Sequence, residues 1–166
     1  MDITLKQLLV PLTKGRYTLI DEDSYELISN YKWRFSKGYA ISDSPRIKGV
    51  KHDIKLHRLI INAPKNKDVD HINGDTLDNR KCNLRLCTPS QNGANMKKTL
   101  LKCSSEFKGV CWNKRKNFWQ AYINKDYKRY ALGYFENERH AAMARDIWAK
   151  ELFGDFAKLN FTYDRH

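Results

Sequence analysis

The sequence predicts an α+β chain. A small β-rich N-terminal region comes first, then a segment running strand, long loop, strand, helix, and last a three-stranded antiparallel sheet packed on one helix. Three observations predict this. Short β-branched and aromatic runs fill the first third, separated by Gly, Asn and Asp turn signals. A polar, turn-rich stretch near residues 68–92 lies between two such runs and ends at a capped helix start. Alternating strands followed by one long amphipathic pattern close the chain.

The elements follow in order. Residues 17–20 read as a strand, and 21–24 offer caps for a short helix over 25–31. Residues 33–35 and 39–41 flank Ser36-Lys37-Gly38, a hairpin signal. Residues 54–61 read as a further strand that ends at Asn62-Ala63-Pro64. Residues 68–72 form a short strand, Asn73-Gly74-Asp75 a turn, and 84–87 the returning strand. Thr88-Pro89 supplies an N-cap and a proline at the first helical position, placing Gln91 and Asn92 in the first helical turn.

Residues 99–105 read as a polar linker. Strands are expected over 107–112, 118–124 and 130–135. Asn137 caps a final helix with Glu138 in its first turn, and Gly154 ends it. Ala141, Ala144, Trp148 and Leu152 recur at helical spacing and are expected to bury against the sheet. The domains expected are 1–98 (with a core about 54–98) and 106–161.

The chain has 166 residues, enough for one ordinary domain or two small ones, and a formal charge of +12 spread along its length. A positive balance of this kind favours polyanions, nucleic acid above all. No run of eighteen apolar residues is present, and the N-terminus lacks a signal peptide's apolar stretch, so no membrane partner and a cytoplasmic location are expected. Four cysteines include no Cys-x-x-Cys pair, so free, mostly buried thiols are expected rather than a zinc ribbon.

The stretch Val69-Asp70-His71-Ile72-Asn73-Gly74-Asp75 sets a carboxylate beside an imidazole, and Asn92 follows as a further oxygen donor. These are the parts of cation-assisted phosphodiester hydrolysis. Asp70 is suited to hold a hard cation, and His71, with an ordinary pKa of ~6.5, to take a proton from water. Oxygen donors completed by water suit Mg²⁺ or Mn²⁺ better than zinc. An Asp-His pair alone also serves to cap a turn. His57, in Leu56-His57-Arg58-Leu59, reads as a hydrogen-bonded structural histidine in an apolar strand. His52, His140 and His166 have no supporting partners.

Asp70-His71, Asn83 and Asn92, with Asp78-Asn79-Arg80 and Asn83-Leu84-Arg85, resemble the HNH nucleases of the ββα-metal fold. The resemblance covers about forty residues. It implies His71 as general base, Asp70 and Asn92 as metal ligands, and Asn83 as a loop-holding residue that helps orient the histidine. It also implies 5′-phosphate and 3′-hydroxyl products. The last position of the family pattern is often histidine; asparagine here matches phage-type and intron-type homing endonucleases.

Lys108-Gly109-Val110, 119–123, 132–135, Ala141-Ala142 and 157–161 resemble the AP-two/ethylene-response-factor DNA-binding domain. That family lays a three-stranded sheet in the major groove, which is wide enough to admit it. The side with Val110, Ala121, Ile123 and Leu132 suits the space beneath a helix. Gln120, Tyr122, Asn124 and Arg129 face the other way. Lys108, Asn113, Lys114, Arg115, Lys116 and Lys128 are candidates for phosphates or base edges. Trp112 and Trp119 read as packing residues. Cys111, Tyr122, Asn124 and Ala131 depart from the plant pattern, so DNA binding carries over and the plant target does not.

The expectation is therefore a Mg²⁺- or Mn²⁺-dependent homing-type endonuclease acting on double-stranded DNA, with its site chosen by the C-terminal domain. A non-catalytic DNA-binding regulator with a vestigial nuclease motif is the alternative, and an RNA-directed protein a third. The oligomeric state is not legible.

Overall fold

A computed structural model describes residues 6–45, 52–98 and 104–163. The chain falls into two compact units, Met1–Cys87 and Thr88–His166. Among the described residues no helix is long and apolar enough to cross a membrane.

In the first unit β1 (Gln7–Pro11) pairs antiparallel with β2 (Tyr17–Asp21). The sequence marks β2 but not β1, whose run contains two leucines, one β-branched residue and a terminal proline. Helix α1 (Tyr25–Ser29) follows, and the Trp33 indole N–H donates to the Ile28 carbonyl at 3.0 Å. Strands β3 (Arg34–Ser36) and β4 (Tyr39–Asp43) form the expected hairpin, with Lys37 and Gly38 both at positive φ. Such a turn matches the right-handed twist of its strands.

Strand β5 (Asp53–Lys55) pairs with the other edge of β4. Here the strand expected over 54–61 is corrected. The chain turns after Lys55 into helix α2 (Leu56–Ile60), which Asn62 terminates at φ 47. Leu56, His57 and Ile60 are buried, a helical face rather than an alternating one. Strands β6 (Asp68–His71) and β7 (Leu84–Cys87) pair antiparallel, Asp70 opposite Arg85 and His71 opposite Leu84. Ile20, Ile28, Ala40, Leu56, Ile60, Val69 and Leu84 share one core, so the N-terminal strands and the β6–β7 ribbon form a single packed body.

The second unit begins with α3 (Pro89–Asn95). Its start is a reciprocal cap: Gln91 N–H donates to Thr88 Oγ1 at 3.2 Å and Thr88 N–H to Gln91 Oε1 at 2.9 Å. Ala94 packs with Ile123, Ala149 and Phe153. The chain thus divides after Cys87, earlier than the expected linker, of which residues 99–103 lie outside the described ones. Strands β8 (Val110–Asn113), β9 (Phe118–Lys125) and β10 (Lys128–Phe135) form an antiparallel sheet with β9 central. β8 starts later than expected because a turn at Gly109, φ 74, precedes it.

Helix α4 (Glu138–Phe153) is capped by Asn137, whose Oδ1 accepts from the N–H groups of Arg139 and His140. Its buried face differs from the expected one. Ala141, Ala142, Arg145, Asp146, Ala149 and Phe153 are buried, while Trp148 is 48% exposed. The reason is a buried ion pair that a polarity pattern assigns to solvent. Arg145 Nη1 donates to Asp146 Oδ1 at 3.0 Å and to the Lys158 carbonyl at 2.6 Å. The Asp146 carboxylate also accepts from the backbone N–H groups of Asn160 and Phe161. The pair ties the C-terminal segment to the helix. The thiols are corrected too: Cys87 is buried, but Cys82 is exposed and Cys111 half-buried. Cys103 lies outside the described residues.

Gly109 tests the packing of the second unit. A β-carbon there would lie 2.5 Å from the Tyr122 carbonyl oxygen and 2.7 Å from Arg145 Cγ. Gly15, also at positive φ, has nothing within 4 Å of that position. We expect Gly15→Ala to cost about 1–2 kcal/mol of strain and Gly109→Ala to cost more, roughly 3 kcal/mol or above once overpacking is added. Urea unfolding midpoints of the two variants check the order.

Candidate functional site

The acid and the imidazole are the last two residues of β6, and each is 5% exposed. Buried polar groups need partners, and these have them. The Asp70 carboxylate faces its cross-strand neighbour: Arg85 Nε donates to Oδ2 at 2.9 Å and Nη2 lies 2.8 Å from the same oxygen. His71 Nε2 lies 3.2 Å from Asn79 Oδ1.

The loop after β6 is built from polar side chains that bond one another. Asn73 Oδ1 accepts from the Asp75 N–H and Asp75 Oδ1 from the Leu77 N–H. The Asp78 carboxylate holds Arg80 through both oxygens at 2.7 Å and also accepts from Asn73 Nδ2. The Arg80 guanidinium pulls the Asp78 carboxyl below the usual carboxylate range, against the opposing effect of burial. Asn83 spans the loop: its Oδ1 accepts from the Asn73 N–H at 3.0 Å and its Nδ2 donates to the Asp78 carbonyl at 2.7 Å. Asn83 therefore ties the loop, and Asn79 is the residue on the ring.

β2 clamps this loop from the side. The Leu19 N–H donates to the Leu77 carbonyl at 2.8 Å and the Asn79 N–H to the Leu19 carbonyl at 2.7 Å. Thr18 Oγ1 donates to the Leu77 carbonyl at 2.8 Å and accepts from Asn79 Nδ2 at 2.7 Å. No local motif in the sequence pairs β2 with residues 77–79.

His57 stands against His71, ring centroids 5.1 Å apart in an edge-on contact, and Tyr39 lies 5.3 Å from His57 and 6.3 Å from His71. Burial pushes the His57 pKa down to about 3, with His71, Lys55 and Arg58 adding repulsion. Burial also lowers the His71 pKa, against the bond to Asn79 and the charges of Asp70, Asp75 and Asp78. Both rings are therefore neutral near pH 7, and a neutral imidazole is the form that accepts a proton.

Asn92 lies in the first turn of α3, where its N–H donates to the Thr88 carbonyl at 2.9 Å. It belongs to the second unit, and Asp70 and His71 to the first. Among the described residues no group of three or more His, Cys, Asp and Glu gathers as a metal cluster. A carboxylate and an amide oxygen are few donors. Oxygen donors of these kinds are what a hard cation takes, and they differ from the thiolate and imidazole set of a structural zinc.

In the second unit the sheet's two faces separate as the alternation requires. Val110, Ala121 and Ile123 are buried. The opposite face carries Gln120 between Cys111 and Tyr134, Tyr122 beside Ala131, and Asn124 beside Arg129. Arg129 stacks over the Tyr122 ring at 4.1 Å and Lys116 over Tyr134 at 3.8 Å. Lys114, Arg115, Lys116, Lys128 and Arg129 are exposed. Trp112 and Trp119 pack edge-on at 5.0 Å.

Two expected DNA-contacting residues turn elsewhere. Asn113 Oδ1 accepts from the N–H groups of Arg115 and Lys116, closing the β8–β9 turn. Lys108 is corrected outright. Its Nζ donates to the carbonyls of Gly93, Ala94 and Met96 at 3.1, 2.6 and 2.5 Å. These are carbonyls that a helix C-terminus leaves without partners. Burial, with Arg145 and Lys158 nearby, lowers the Lys108 pKa to about 7.

Comparison with known proteins places residues 55–94 in a family model described as HNH endonuclease. A protein of Acanthamoeba polyphaga mimivirus whose name calls it an uncharacterized HNH endonuclease is 34% identical over 157 residues, covering 89% of this chain and 76% of its own. Protein 3.8 of Escherichia phage T7 is 32% identical over 104 residues, covering 57% of this chain and 77% of its own. No solved structure matches.

The depressed His57 pKa sets an acid dependence. In the unfolded chain the ring titrates near ~6.5, in the folded chain near 3. Below the unfolded value the unfolded chain binds a proton that the folded chain does not. Stability is complete above that value and falls as the pH drops toward 3, by at most about 1.4 kcal/mol per pH unit from this group. The wild-type melting temperature is expected to fall more steeply between pH 7 and 4.5 than that of His57→Phe, which lacks the titration.

Proposed function

The chain belongs to the HNH endonucleases and is a nuclease, and from that premise we propose that it is a divalent-metal-dependent DNA endonuclease of the homing type. It cuts one strand of double-stranded DNA per binding event. The observation that carries the reading is the pair of buried, separately held side chains at the end of β6: Asp70 gripped by Arg85 and His71 held by Asn79, both within the family-matched segment.

His71 acts as general base and takes a proton from the attacking water. A neutral imidazole in a desolvated setting is suited to that task, and its fixed ring limits the reorientation needed before transfer. Asp70 and Asn92 are the residues that would hold Mg²⁺ or Mn²⁺, which supplies positive charge to the scissile phosphate and the leaving oxygen. Arg85 neutralises and aims the Asp70 carboxylate. Asn83 keeps the β6–β7 loop closed, so the histidine sits on a fixed base.

The ββα-metal arrangement is the fold this reading assigns to β6, β7 and α3. The second unit recognises DNA in the AP-two/ethylene-response-factor manner. The outward sheet face supports this, because cation-capped tyrosines beside Gln120 and Asn124 offer both charge for phosphates and amides for base edges. Lys114, Arg115, Lys116, Lys128 and Arg129 supply the phosphate contacts. Lys108 supports α3 instead.

Wild-type protein is expected to nick supercoiled plasmid with Mg²⁺ or Mn²⁺ and to stop in EDTA. His71→Ala is expected to lose about 10²–10⁴-fold in rate and to keep its DNA affinity in gel shift. Retained nicking in His71→Ala is the outcome that rejects the assignment. Arg129→Ala and Lys116→Ala are each expected to weaken DNA binding and to lower the slope of log Kd against log salt by about 1. Lys108→Met is expected to leave that slope unchanged and to lower the melting temperature.

A further inference from the structure

Three buried side chains form a chain of hydrogen bonds whose direction is fixed at one end. The Leu77 carbonyl can only accept, so the Thr18 hydroxyl hydrogen points to it at 2.8 Å. Thr18 Oγ1 then receives a hydrogen from Asn79 Nδ2, 2.7 Å away. With its NH₂ end toward Thr18, Asn79 presents Oδ1 to the histidine, and that oxygen can only accept. His71 Nε2 must therefore carry the ring proton in the neutral state, which leaves the lone pair on Nδ1. Thr18 and Asn79 are 0% and 1% exposed, so no bulk water competes for these bonds.

The geometry points to Thr18 as a positioning residue for the base: through Asn79 it sets which nitrogen of His71 is able to accept a proton. The opposite state is close in composition. If the Asn79 amide turned over, its NH₂ end would donate to Nε2 and drive the ring proton onto Nδ1. The Thr18 hydroxyl opposes that turn because its own hydrogen is engaged at Leu77, leaving it an acceptor. The Thr76 carbonyl, 3.5 Å from Asn79 Nδ2, favours the same orientation. A strand at the start of the chain thereby controls a proton position in the loop that follows β6. This inference rests on the reading of His71 as general base, but the tautomer itself does not.

The test uses the full chain with ¹⁵N-labelled histidine at pH 8, with the His71 ring signals identified by their loss in His71→Ala. Long-range ¹H–¹⁵N spectra of wild type are expected to show a protonated Nε2 and an unprotonated Nδ1. Thr18→Val, which keeps the shape and removes the acceptor, is expected to mix or invert the tautomers. It is also expected to lower nicking turnover by roughly 10–10³-fold at unchanged DNA Kd, a wrong tautomer being costly to a histidine base. Thr18→Ser is expected to restore both. A wild-type ring protonated at Nδ1 overturns the inference without any variant. So does Thr18→Val with wild-type signals and wild-type turnover. Wild-type protein with the stated tautomer and no nicking refutes the nuclease role of His71 and leaves the hydrogen-bond control standing.

Discussion

The demand that buried polar groups be satisfied organises the first unit. Thr18, Asp70, His71, Asp78, Asn79 and Asn83 are all 5% exposed or less. Left without partners, each would cost on the order of 1–3 kcal/mol. The fold meets the demand by drawing β2 against the loop between β6 and β7. Two backbone bonds at Leu19 set the distance, and Thr18 and Asn79 fill the interval. The N-terminal region is therefore the wall of the site. Without it the loop would face water, and the histidine would have no defined orientation.

The electrostatics follow the same logic. A carboxylate as buried as Asp70 is tolerated because Arg85 stands directly opposite it in register. Asp78 and Arg80 repeat the arrangement at the far side of the loop. The two imidazoles, by contrast, meet edge-on, and burial keeps them neutral. The acids are paired and the imidazoles uncharged, the condition from which the proton abstraction proposed for His71 would start.

Much of this was legible in the sequence. β6, β7 and the start of α3 follow from Asn73-Gly74-Asp75 and from the Thr88-Pro89 cap, signals that act within a few residues. The outward and inward sides of β9 follow from strict alternation. Long-range effects were not legible. The bond between Thr18 and Asn79 joins residues far apart in sequence with no shared motif. His57 reads as a strand residue in an apolar run, and only the turn after Lys55 places it on a helix against His71. The α4 stripe is misread because Arg145 and Asp146 neutralise each other and go inside, rotating the helix so that Trp148 faces out. Lys108 is misread for a related reason: a lysine next to a glycine before a basic loop looks like a phosphate ligand, and nothing local reveals three helix-end carbonyls waiting for it.

That lysine has an implication for modular exchange. The sequence looks divisible at the polar stretch between residues 98 and 106. Yet α3 has only seven residues, too few for a helix to persist in water on its own. Its terminal carbonyls are sealed by a side chain from beyond the apparent seam. A recombination event at that stretch would graft an incoming C-terminal half onto a donor whose α3 has lost its stopper. A chimaera joined at that stretch keeps α3 sealed only where the incoming half brings a lysine of equal reach with it.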